Sequence, residues 1–115
     1  MTSQVQGEIL YAGVSTNPVY TPWMPVRGDI ATFGVEVIQR NGTNLEWLVE
    51  TRTLESSTPS EVFTTQTVSS VVVDKFTSTT DSKELVRYKF TTTGAVSTTN
   101  FVVFRALQPS WQTDR

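Results

Sequence analysis

The chain has 115 residues and 12.8 kDa, with 9 basic and 11 acidic side chains, no cysteine and no histidine. That length fits one domain, which should bury roughly 65% of its unfolded surface. Without cysteine there are no disulfides and no thiolate chemistry; without histidine the commonest metal ligand and general base are missing; a net charge of −2 gives no drive toward nucleic acid.

Charged residues make up 17% of the chain, and 20 Thr and 11 Ser stand in their place. A Thr- and Val-rich, low-charge chain suits a pleated, half-buried surface. No run approaches the roughly 20 apolar residues of a membrane helix, so no membrane partner is expected. MTSQVQGEIL has neither a basic n-region nor an apolar h-region, so no signal peptide is expected.

Residues 1–29 read as an N-terminal arm and Pro-rich loop. Pro18, Pro22 and Pro25 fix φ and remove backbone donors, leaving short strands near Glu8–Ala12 and Pro18–Tyr20. Residues 30–107 read as a β-sandwich core. Ala31, Phe33, Val35 and Val37 alternate with Thr32, Gly34, Glu36 and Ile38, the period of a strand with one face inward. Asn41-Gly42 is expected to turn a hairpin between strands near 31–40 and 44–53. The return strand places Leu45, Trp47 and Val49 on one face and Glu46, Glu50 and Arg52 on the other.

ESSTPSE, residues 55–61, is turn chemistry. A strand pair over Val62–Gln66 and Thr67–Phe76 follows, then a polar turn at Thr77–Lys83. Val86, Tyr88 and Phe90 share a face opposite Arg87 and Lys89, and Thr93–Thr99 is a loop around Gly94. NFVVFRAL is apolar on both faces, which places it centrally in a sheet or under another chain. Residues 108–115 read as a C-terminal tail separable from the fold.

No window has a helical period. The expected fold is therefore all-β, a single-domain antiparallel β-sandwich of jelly-roll or immunoglobulin-like topology, with a small barrel as the alternative. Its expected core contains Phe33, Val35, Val37, Leu45, Trp47, Val49, Val86, Tyr88, Phe90 and Phe104.

Catalytic constellations are scarce. A Ser–His–Asp or Cys–His arrangement needs residues the chain lacks, and the six glycines are isolated rather than gathered in a phosphate loop. Glu46 and Glu50 share a strand face but stand about 13 Å apart, so they read as a solvated face rather than a glycosidase pair. Asp74, Asp81 and Glu84 are the one set of carboxylates that flank a loop as calcium ligands would; they read as a polar loop rather than a calcium site, and no metal or cofactor is expected. Arg27-Gly28-Asp29 matches an adhesive tripeptide and Asn41-Gly42-Thr43 a glycosylation acceptor. Turns ahead of and between strands account for both. The reading is non-enzymatic.

The large aromatics carry the functional expectation. Tyr20, Trp23 and Met24 lie in the Pro-bracketed loop, Trp111 in the tail and Tyr11 near the N-terminus. Big apolar groups on irregular segments either pack across an end of the sandwich or anchor an interface; on the second reading these five are the expected partner-binding residues.

TPWMPVRGDIATFGVEVIQ, followed by LEWLVETR, resembles small β-sandwich proteins encoded among the virion structural genes of tailed bacteriophages, above all the head decoration (cement) group. The resemblance covers residues 18–52. It implies a homo-oligomer such as a trimer, bound over the major capsid protein or other virion subunits and gripping the shell with arms or tails. It places the protein in the virion, assembled in the host cytoplasm. The alternative is a carbohydrate- or receptor-binding module, which needs a flat exposed row of aromatics drawn from Tyr20, Trp23 and Trp111.

Overall fold

A computed structural model describes the backbone of residues 9–13, 18–78, 83–94 and 100–112, with side chains from Pro18 onward. The strands are β1 (Ile9–Gly13), β2 (Val19–Tyr20), β3 (Met24–Pro25), β4 (Ile30–Asn41), β5 (Thr43–Arg52), β6 (Ser60–Glu61), β7 (Gln66–Val68), β8 (Val73–Ser78), β9 (Leu85–Gly94) and β10 (Phe101–Gln112). They form two antiparallel sheets. The first has the order β1-β10-β4-β8 and the second β2-β9-β5-β6, with β3 also on β9 and β7 also on β5.

β2 and β3 are one edge strand, interrupted at Thr21–Trp23, and β6 and β7 are another, interrupted at Val62–Thr65. Counted so, eight strands pair as a nested hairpin: first with last, second with seventh, third with sixth, fourth with fifth. The β4–β10 and β5–β9 ladders then wrap that hairpin into two sheets. This connectivity is a jelly roll, so of the two expected topologies the immunoglobulin-like one is not adopted.

The expected hairpin at Asn41-Gly42 does not form. β4 pairs with β8 and β10, β5 pairs with β9, β6 and β7, and the two strands lie in different sheets. A two-residue type I′ turn needs positive φ at both central residues. Only Gly42 has it, at 74°, so the chain bends once and continues into the other sheet. Arg40 staples the corner: its Nε donates to Thr43 O and its Nη2 to Asn44 Oδ1, each at 2.9 Å. The corner sets the apolar faces of β4 and β5 opposite each other across the sandwich, where a hairpin would lay them side by side.

All ten expected core residues are buried. Phe33 sits at the centre, with Tyr88 at 6.0 Å and Trp111 at 5.9 Å, both edge-on. The expected strand pair over 62–76 is also replaced. After a last backbone bond from Val62 N to Val49 O, residues 63–65 leave the sheet so that Phe63 can drop into the open side of the sandwich. There it stacks on Phe76 at 4.2 Å and meets Trp47 at 5.3 Å. Trp47 Nε1 donates to Asp74 Oδ2 at 2.9 Å, tying the two sheets together.

Three boundaries move. β8 runs through Ser78, into the expected polar turn, and β9 runs through Gly94, into the expected loop. The expected tail is strand as far as Gln112. Leu107 opposes Gly34 and Ser110 opposes Thr32, so Gln108 and Pro109 share one partner position, a β-bulge at a proline that has no N–H for the ladder. The bulge shifts the alternation by one residue. Pro109 is therefore buried and Trp111 turns inward onto Phe33. Tyr88, reaching across from the second sheet, spans the opened ladder. Its hydroxyl accepts from Gly34 N at 3.0 Å and donates to Leu107 O at 2.6 Å.

Candidate functional site

The outer face of the second sheet is a grid set by register. One row runs Glu61, Glu50, Arg87; the next Leu48, Lys89, Tyr20; the next Thr67, Glu46, Thr91. Period two makes these residues face outward because Trp47, Val49, Val86, Tyr88 and Phe90 face the core.

On this grid four side chains stack. The Arg87 guanidinium lies 4.0 Å from the Tyr20 ring centroid and 4.4 Å from that of Trp23, and Arg52 lies 4.8 Å from Trp23. Cation–π contacts of this kind contribute about 0.5–2 kcal/mol each, depending on desolvation. Glu50 holds Arg87 in place: Nε and Nη2 both lie 2.9 Å from Glu50 Oε1. Arg52 Nη1 donates to Thr53 O and Ser56 O. The stack is thus ordered from beneath, while Tyr20 remains 40% exposed.

The interrupted edge strand explains why Trp23 reaches the stack. Tyr20 opposes Lys89 and Met24 opposes Val86, so three residues, Thr21 to Trp23, span the two between them on β9. Thr21 fills the gap by accepting from Tyr88 N through Oγ1, at 3.0 Å. The strand then resumes with Trp23 outward and Met24 inward.

Beside the stack lies a groove of about 140 Å³, lined by Glu46, Leu48, Glu61, Thr65, Lys89 and Thr91. A second exposed feature is apolar: Ile38, Val71, Val72 and Val73 are 45–58% exposed at the β8 edge of the first sheet.

Of the five expected partner-binding residues, the fold brings Tyr20 and Trp23 together on this face. Met24 lies opposite Val86 and packs against the core, and Trp111 belongs to the other sheet and packs on Phe33. Strand alternation and the bulge turn both inward, so neither stands out from an irregular segment as expected, though each keeps part of its surface exposed. The row Tyr20–Trp23–Trp111 therefore does not exist. The Tyr11 backbone pairs with Phe104, and its side chain lies outside the described residues. Arg52, Arg87 and Glu50 were visible in the sequence as an outward strand face, but not as partners of the loop aromatics, because cross-strand register carries no local signal.

Among the described residues no three acidic groups converge as a metal site. Asp74 accepts from Trp47, Glu84 accepts from Leu54 N, and Asp81 lies outside the described residues. No family model, curated protein or solved structure matches the chain.

Proposed function

We propose that the protein is a non-enzymatic virion structural subunit, a capsid decoration (cement) protein that binds the assembled shell. The observation that carries this reading is the solvent-facing stack of Tyr20, Arg87, Trp23 and Arg52. Trp, Tyr and Arg are the residue types that dominate interface energetics. Here they are ordered before any partner arrives, which lowers the entropic cost of docking. The jelly roll serves capsid and lectin domains alike, so the fold alone favours neither, and the surface has to decide.

In this reading the stack meets the major capsid protein or another virion subunit. The apolar β8 edge, with Ile38 and Val71–Val73, supports association between copies, a trimer among them. Binding only the assembled shell stabilises it by mass action. The test is co-sedimentation with capsid-sized particles. Tyr20→Ala and Trp23→Ala should each weaken particle binding at least tenfold while the chain still unfolds cooperatively, with a melting temperature lowered by the lost cation–π contacts. Wild-type binding by both variants overturns the assignment.

A further inference from the structure

We propose that the groove beside the stack binds a saccharide. Glu46, Glu61, Lys89, Thr65 and Thr91 converge on it, and none of these five side chains makes a hydrogen bond or ion pair with another described residue. Their polar groups are therefore open to a ligand, whereas in the adjoining row Glu50 and Arg87 engage each other. The floor is apolar: Leu48 faces outward yet is only 5% exposed.

The mixture of groups selects the ligand class. The Lys89 ammonium opposes a bare divalent cation, and the Glu46 and Glu61 carboxylates oppose a phosphate or other anion. An apolar ligand would strand five polar side chains. A neutral ligand with several hydroxyls satisfies all of them, since each hydroxyl both donates and accepts. Tyr20 borders the groove without lining it. It lies opposite Lys89 in register, its ring is pinned by Arg87, and its exposed area offers the platform on which the C–H face of a sugar ring packs.

This inference shares Tyr20 with the aromatic–guanidinium stack but does not rest on the virion reading, because Glu46 and Lys89 lie outside the stack and the test uses no particle. The test is an amide NMR titration of the full chain with maltose, cellobiose and chitobiose as probes. At least one should shift the Leu48, Lys89 and Thr91 amides in a saturable way, with millimolar affinity. Glu46→Ala and Lys89→Ala should each weaken that binding at least tenfold while leaving the melting temperature unchanged, since neither side chain has an internal partner. Absence of saturable shifts at these amides with all three sugars at tens of millimolar overturns the proposal. So do shifts that persist undiminished in both variants.

Discussion

Tyr88 shows how one side chain serves both sheets. Its ring is part of the core, and its hydroxyl joins Gly34 N and Leu107 O where the β10 bulge opens the ladder. Tyr88→Phe keeps the ring but leaves a buried donor and acceptor unsatisfied, a loss of about 1–3 kcal/mol in chemical denaturation. Burial also drives the Tyr88 hydroxyl pKa well above its ordinary value, outweighing the opposing effect of the Gly34 hydrogen bond. The native state therefore holds this proton at pH values where the unfolded chain releases it. Its contribution is complete below about pH 10 and is lost as the pH rises further. Melting temperature should fall with pH above about 10, and Tyr88→Phe should show a shallower fall over the same range.

At the scale of elements, two corrections follow from backbone geometry that residue patterns do not encode. Gly42 is the corner between sheets, with φ of 74°, and a Cβ there would collide with the Asn100 side chain. Gly42→Val should cost about 1–2 kcal/mol or more, read from urea midpoints. The same substitution was equally forbidden in a hairpin, so the sequence marks the residue correctly while misjudging what it joins. The end of β10 behaves likewise. Removing Gln108–Arg115 takes away the bulge, buried Pro109 and the Trp111–Phe33 contact, so it should destabilise the fold by about 3 kcal/mol or more. A truncated chain that melts like the full one would show that β10 ends functionally at Leu107.

At the scale of the molecule, among the described residues the first strand pairs with the last, and only the β5 ladder with β6 and β7 joins neighbours in sequence. Such nested, non-local pairing must close long loops before any contact rewards it, so refolding should take milliseconds to seconds in stopped-flow dilution from urea. Microsecond refolding would contradict it. The sheets leave two different outer faces: a polar and aromatic grid on the second, and an apolar edge on the first.

Alternation along the chain was enough to determine the all-β class, the inward residues of β4, β5 and β9, and the outward placement of Arg52 and Arg87. These are local properties, because a half-buried strand repeats every two residues whatever it pairs with. Only the tertiary structure decided that β4 and β5 part company at Gly42, that Phe63 leaves its strand to plug the side, and that Trp111 belongs to the core while Trp23 meets Arg87 and Arg52. Register, bulges and sheet crossing are chosen by competition among distant segments for the same buried volume, and the spacing of residues along the chain does not say which segment wins.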